Sequence, residues 1–408
     1  MTNAPIRVVV SGGSIAGLAV GGSVKGERDR RPFYERDVGP MRSTGAGIVV
    51  QLDLLQLFDL GTGPCLPMTH GSIRRYWSPG GGNGQVHQMP QQFTSWQAIY
   101  QTLRAVFPES LYHIGGAITG AEPTSAGLSI SIKGQTLIEA DPLIAAEGTQ
   151  SPARRRLLPE VAARYAGYVA WRGTIAERDL PSGLIAAFDD CFTFSEARSG
   201  GHSLAYFIPG DAVETTVGKR RLNWVWYVGA DEAERDALFV DNKGRHHRAS
   251  LPRGATPGLV ANALVDRAHH ELHPMFAALI AATPDPFLQT IVDLDVPRTV
   301  FGRTILIGDA AFVVRPHTAA GAAKAARDAI NLANAVGRAS GNVDAALAMF
   351  GQNELKYGQR LLEYGVVLGG RWAQGQIANS AVQVIVSSNP PSTRSAAPVV
   401  ADDNGEAT

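Results

Sequence analysis

The segment IRVVVSGGSIAG, residues 6–17, constrains this chain more than any other. Ile6 to Val10 is a short, β-branched, nearly continuous apolar run, the signature of a parallel strand buried on both faces. Gly12, Gly13, Ser14 and Gly17 follow at once as a tight turn, and a helix is expected from Ile15. Strand, glycine turn and helix make the first half of a βαβ unit. The glycines let the backbone approach a pyrophosphate, whose charge then sits at a helix N-terminus. Ser14 stands where the usual pattern has its middle glycine, with Gly13 beside it and Ala16 within the turn. By itself the turn also fits a glycine-rich loop of another α/β protein. Glu35 closes the expected second strand at the distance where such units place an acid for the adenosine ribose, and Arg36 is next to it.

Between these points the sequence is unusual. GGSVKGERDRRP, residues 21–32, is Gly-rich and charged and lacks helical periodicity, yet the spacing from Gly12 to Glu35 is that of a βαβ unit. As written, this stretch is expected to compromise the first helix and the second strand.

The chain has 408 residues, too many for one simple core, and two interleaved domains are expected. Lys plus Arg and Asp plus Glu both total 37, so net charge gives no argument for nucleic acid or an anionic membrane as partner. The two cysteines, Cys65 and Cys191, indicate neither a disulfide framework nor a zinc site. The pairs His246-His247 and His269-His270 lack supporting ligands and read as solvated, so no metal is expected. No run approaches the ~20 apolar residues of a membrane span, and the protein is read as cytoplasmic.

Further strands are expected at 44–51 after a glycine turn, in hairpins over 73–89 and 128–138, and at 143–146. Helices are expected at 52–60, 95–107, 257–282, 322–336 and 350–368. The aromatic-rich runs 165–175, 191–196, 202–208 and 221–228 predict an antiparallel sheet, while 241–257 reads as loop.

Two late motifs complete the pattern. TILIGDAA, residues 304–311, ends a buried strand in Gly308-Asp309, where open α/β sheets place ligand contacts. Asp309 there suits a ribityl hydroxyl, or equally caps a turn. RPHTAAGAAK, residues 315–324, then leads into a small-residue helix. Its N-terminus would stabilise negative charge on a reduced flavin.

The conjunction resembles the FAD-dependent aromatic hydroxylases, the group related to p-hydroxybenzoate and salicylate hydroxylases, and in particular their dihydroxypyridine-type members. The likeness covers most of residues 5–370 and rests on GGSIAGL, YERD, GAGIVVQ, FTSWQAIY, YAGYVAWRG, LNWVWY and GDAAFVVRPHTAAGAAKAARDA. It implies an α/β fold: a Rossmann-like FAD-binding domain (1–72, 94–164, 290–370) interleaved with a smaller antiparallel-sheet substrate domain (73–93, 165–289). A C-terminal helix end and disordered tail (371–408) follow.

The resemblance assigns Gly12, Gly13, Ser14, Ala16 and Gly17 to the pyrophosphate, and Glu35 and Arg36 to the ribose. It assigns Gly47 and Ile48 to the cofactor, Asp309 to the ribityl chain, and the loop Pro316 to Gly321, with Ala320, to the space under the isoalloxazine. Glu147-Gly148, with Ser151 and Arg154, stands where most members have Asp-Gly, and Trp96 where many have an arginine.

The implied chemistry is hydroxylation of an electron-rich ring, expected to be a hydroxylated pyridine, by O2 through a C4a-hydroperoxyflavin. NADH or NADPH serves as a transient reductant. His317, with Pro316, is the catalytic candidate, able to orient a ring hydroxyl or take its proton, or simply a packed loop histidine. Tyr206, Trp226 and Trp171 are candidate pocket walls, or core aromatics, and Arg172 either meets an anionic substrate or lies on the surface. A phenolic acid, quinolone or polyketide substrate stays open. So do an impaired flavoprotein, motivated by residues 21–32 and Glu147, and the oligomeric state, a homodimer included.

Overall fold

The computed structural model describes residues 6–23, 32–39, 47–60, 64–134, 137–337 and 342–373. The charged stretch 24–31, residues 44–46 of the expected turn, and the expected disordered tail after 373 lie outside them.

Among the described residues the strands form three sheets. A six-stranded sheet runs in the order 300–301, 304–306, 143–145, 9–11, 33–35, 112–114, parallel except for the 300–301 edge strand. Strand alternation explains why Val8, Val9 and Val10 are all apolar. Val8 and Val10 pack with Leu18, Leu103, Ala326 and Leu332 on the helical side, whereas Val9 packs with Tyr34, Ile130 and Leu143. The three-stranded antiparallel sheet 118–123, 128–132, 138–140 covers that second side.

Among the described residues the first βαβ unit has its helix and its second strand. The helix Ile15–Ser23 forms, and the strand Phe33–Glu35 pairs in parallel with Val10 and Ser11. Over residues 15–23 and 33–35 the expected compromise of helix and strand is not seen, while 24–31 lie outside the described residues. The reason is visible at Gly21: a Cβ there would overlap the Phe107 and Phe33 rings, which meet edge to face at 4.7 Å. Aromatic packing asks for glycine where helical periodicity asks for an apolar side chain.

The nine-stranded sheet runs 250–251, 287–293, 164–176, 221–229, 202–208, 191–196, 69–77, 85–95, 47–49, antiparallel except where 191–196 meets 69–77. One face carries Val169, Trp171, Ala205, Phe207, Trp224 and Trp226 against Phe188, Leu264, Phe276 and Ile280 of the covering helices. The other carries Tyr168, Ala170, Leu204, Val225 and Tyr227.

Several boundaries differ from expectation. Residues 257–282 form two helices, Gly258–Glu271 and Pro274–Ala281. Pro274 cannot donate a helical hydrogen bond, and the His273 ring instead caps Met275 N at 3.2 Å. The loop 241–257 contains the short strand Ser250–Leu251. The helix expected at 95–107 is Trp96–Arg104, capped by Ser95 Oγ accepting from Ala98 N at 3.1 Å. The last helix is longer than its expected core, running Val343–Ala373. No helix among the described residues is long and apolar enough to cross a membrane.

Candidate active site

The glycine turn is held from behind. Gly12 has φ of +102°, a region that favours glycine, and its N–H donates to Tyr34 O at 2.9 Å. A Cβ on Gly13 would overlap the Tyr112 hydroxyl, which donates to Gly13 O at 2.8 Å, and one on Gly17 would overlap Gly12 O. Glu35 is buried, its carboxylate accepting from Gly13 N at 2.8 Å and Asp37 N at 3.0 Å. Turn and acid therefore form one rigid piece.

The late Gly-Asp turn comes against the early one. Gly308 has φ of +57°, and a Cβ on it would stand 2.8 Å from the Ala16 Cβ. Gly308 N donates to Asp328 Oδ2 at 2.8 Å, and the same oxygen takes a 2.6 Å contact from Lys324 Nζ. Both side chains of this ion pair are buried. Asp309 is open to the cavity, and desolvation by the surrounding atoms raises its pKa, with Asp328 adding to the effect and Lys324 and Arg154 opposing it.

These pieces surround a single cavity of about 410 Å³, a volume within the range of small-molecule sites. It is lined by Gly12, Ser14, Ala16, Glu35, Arg36, Ile48, Trp96, Glu147, Asp309 and Gly321, among others. A helix N-terminus stands at each part of it, at Ile15 and at Gly321. A flat, doubly phosphorylated cofactor fits this lining: backbone N–H groups and helix ends for phosphate, acids for hydroxyls. Gly148 and Gly321 leave open space where a side chain would stand.

Glu147 also lines the cavity, but its carboxylate is engaged within the protein. Oε1 accepts from Ser11 Oγ at 2.6 Å, and Oε2 from Ser151 Oγ at 2.5 Å and Ala153 N at 2.9 Å. Arg154 is buried and donates to the Thr149 and Ala310 carbonyls.

Beside the cavity, the Pro316–Thr318 turn packs on the face of the large sheet opposite its helices. Tyr168 Oη lies 2.8 Å from His317 Nε2, in the Pro316–Thr318 turn, and the rings of Tyr227 and His202 stand 4.4 and 5.3 Å from the His317 ring. Burial, with Arg315 adding, lowers the His317 pKa to about 3, so its imidazole is neutral. His202 is shifted the same way by burial and by His317. Burial pushes Tyr206 up and Tyr227 to about 12. Gly47 N donates to Asn223 Oδ1 at 2.9 Å, tying the strand Gly47–Val49 to this face, and a Cβ on Gly47 would press on Tyr206. Ala320 is buried, its N–H donating to Thr318 Oγ1 at 3.2 Å.

Of the expected pocket aromatics, Tyr206 lies on this face. Trp171 and Trp226 do not: they sit in the core under the helices, with Arg267 over the Trp226 ring at 5.7 Å. Arg172 is buried, which removes its surface reading. Tyr168, Tyr227, His202 and Asn223 escaped the sequence reading. Alternation within the strands was the available signal, since Tyr168 and Tyr227 have opposite parity to the tryptophans on their own strands.

Comparison with known proteins bears on this geometry. A family model described as "FAD binding domain-like" matches residues 165–293, which here form most of the antiparallel sheet with its helices. The chain is 33% identical over 331 residues to 2,6-dihydroxypyridine 3-monooxygenase of Paenarthrobacter nicotinovorans, covering 80% of this chain and 82% of the relative. It belongs to the FAD-dependent aromatic hydroxylases. This hydroxylase is also 26% identical over 377 residues to 6-hydroxynicotinate 3-monooxygenase of Pseudomonas fluorescens, covering 86% of this chain and 88% of that one. Its fold matches the structure of 2,6-dihydroxypyridine-3-hydroxylase from Arthrobacter nicotinovorans with a TM-score of 0.85 at 29% identity, covering 93% and 95% of the two chains. The hydroxylase is thus an FAD-dependent monooxygenase of mixed α/β fold, as the motifs implied.

Proposed function

We propose that the ring this hydroxylase acts on is a hydroxylated pyridine, with NADH or NADPH supplying the electrons. The observation that carries the reading is the short loop Arg315–Gly321, whose end at Gly321 lines the Asp309 cavity and whose His317 packs against Tyr168, Tyr227 and His202 of the large sheet. The names of the two curated relatives, which act on pyridines, support the choice of ring.

In this reading Gly12, Gly13, Ser14, Ala16 and Gly17 hold the pyrophosphate at the N-terminus of Ile15–Ser23, and Glu35, with Arg36, the ribose. Asp309 takes a ribityl hydroxyl. Gly47, Ile48, Pro316, Ala320 and Gly321 frame the isoalloxazine, with the helix dipole at Gly321 favouring negative charge there. Glu147 acts indirectly, fastening Ser11 to Ser151 rather than touching a ligand. Bound FAD supplies the activation of O2 for transfer to the ring. The protein's part is to position the ring, exclude water and manage one proton. His317, neutral and hydrogen-bonded to Tyr168, orients the ring hydroxyl as a hydrogen-bond partner. Tyr206, Tyr227 and Leu204 supply the wall. A cytoplasmic setting, where NAD(P)H is available, goes with this reading.

The test is NAD(P)H oxidation by purified, FAD-loaded protein with a panel of hydroxypyridines and hydroxybenzoates. Hydroxypyridines are expected to stimulate flavin reduction and yield hydroxylated product. A response to hydroxybenzoates alone would move the substrate to a phenolic acid, and no response to any ring would indicate an impaired flavoprotein.

A further inference from the structure

We propose that Arg172 is the anion-recognition residue of this active site, and that the substrate ring is bound through a negatively charged oxygen. The proposal rests on the hydroxylase reading above and specifies the substrate's charge.

Arg172 lies in the strand Arg164–Ala176, two and four residues from Ala170 and Tyr168, so alternation puts it on their face of the sheet. Its strand neighbour is Val225, which packs in the same cluster as Tyr168 and Tyr227. It is only 8% exposed, and its Nε is buried without a hydrogen-bond partner. Among the described residues no carboxylate pairs with it. Arg220 has Glu177 and Asp189, Arg221 has Asp211 and Arg315 has Asp293, while the buried Arg74 and Arg154 have no acid but donate to Gln91 and to the Thr149 and Ala310 carbonyls. The charge of Arg172 acts on the phenols of both Tyr206 and Tyr227, opposing the upward shift that burial gives them.

A guanidinium is always charged, and burying one without a counter-ion costs several kcal/mol. A second donor stands unclaimed on the same face: Asn223 Nδ2 is buried without a partner, while its Oδ1 is taken by Gly47 N. Two unsatisfied donors, one cationic, beside two phenols and the loop of His317 suit a planar ring bearing an anionic oxygen. The fork of Arg172 matches either a carboxylate or a deprotonated ring hydroxyl.

The test compares 6-hydroxynicotinate with its neutral amide, 6-hydroxynicotinamide, and with 2,6-dihydroxypyridine. Binding is read from perturbation of the flavin absorbance, and KM and kcat from NAD(P)H oxidation. The parent enzyme should prefer anionic over neutral rings. Arg172→Met should weaken the anions roughly 10–100-fold, chiefly in KM, and the neutral amide far less. Arg172→Lys should recover part of the loss. Selective loss of 6-hydroxynicotinate assigns the contact to a carboxylate, and selective loss of 2,6-dihydroxypyridine assigns it to the ring oxide. If Arg172→Met fails to hold FAD, Arg172→Gln, which keeps donors and drops the charge, takes the same measurements. Equal losses on charged and neutral rings, or none, would overturn the role of Arg172 while leaving the hydroxylase reading intact. A parent enzyme whose flavin responds to none of the rings would overturn both.

Discussion

Tyr168 Oη and His317 Nε2 stand 2.8 Å apart although 149 residues separate them in the chain. One belongs to the large antiparallel sheet and the other to the turn after the Gly-Asp strand, so this contact joins the two halves of the site. It also fixes the proton inventory, because a histidine buried against a phenol and beside Arg315 stays neutral.

The first prediction concerns acid. The folded-state pKa of His317, about 3, lies below the 6.5 of an unfolded histidine, so on acidification the unfolded chain binds the proton first. Stability from this group is fully present above pH ~6.5 and falls as pH drops toward 3, by up to ~1.4 kcal/mol per pH unit. His202, also shifted down, acts with the same sign. Urea midpoints at pH 5 and pH 7.5 should differ more for the parent than for His317→Gln. An unchanged difference would mean that His317 is already solvated and protonating normally.

Asp309 faces the cavity and its loss should be felt by the cofactor, not the fold. Asp309→Ala is expected to weaken FAD roughly 10–100-fold, the worth of a charged hydrogen bond, and Asp309→Asn less. Quenching of flavin fluorescence on binding measures both. Wild-type affinity in the alanine variant would remove Asp309 from the site.

Glu147 stands where most of the family has aspartate, which invites the view that Glu147→Asp restores a better enzyme. The geometry says the opposite. The longer side chain reaches Ser11 Oγ on one side and Ser151 Oγ with Ala153 N on the other. Shortening it by a methylene breaks at least one of these contacts, at about 1–3 kcal/mol. A lower melting temperature for Glu147→Asp is the expected reading, and a rise would contradict the staple.

The buried pair Lys324–Asp328 holds the Gly308 N–H from below. Lys324→Met alone leaves an unpaired buried carboxylate and should cost about 3–5 kcal/mol. The double change Lys324→Met with Asp328→Leu should cost less than the sum of the two single changes, because it removes both charges together. A urea double-mutant cycle gives the coupling, and strict additivity would show that the pair does not act as a unit.

Much of the site was legible before the fold was known, because its motifs are local. A glycine turn after a β-branched run, and an acid closing a strand at Gly308-Asp309, are written in consecutive residues and obey backbone rules that need no tertiary context. So are the aromatic strands of the large sheet. Gly21 was not legible as a packing residue, since the demand for it comes from Phe33 and Phe107, the latter far along the chain.

What the sequence by itself determined was therefore the nucleotide turn, the late acid and the αβ class, each set by short-range periodicity and glycine conformation. Only the tertiary structure decided that Trp171 and Trp226 face the helices while Tyr168, Tyr206 and Tyr227 lie on the opposite face of the sheet. It alone showed Glu147 bound to Ser11 and Arg172 buried without an acid. Alternation tells which side chains share a face, but which face is covered by helices and which by a cofactor-bearing loop depends on how separate layers pack.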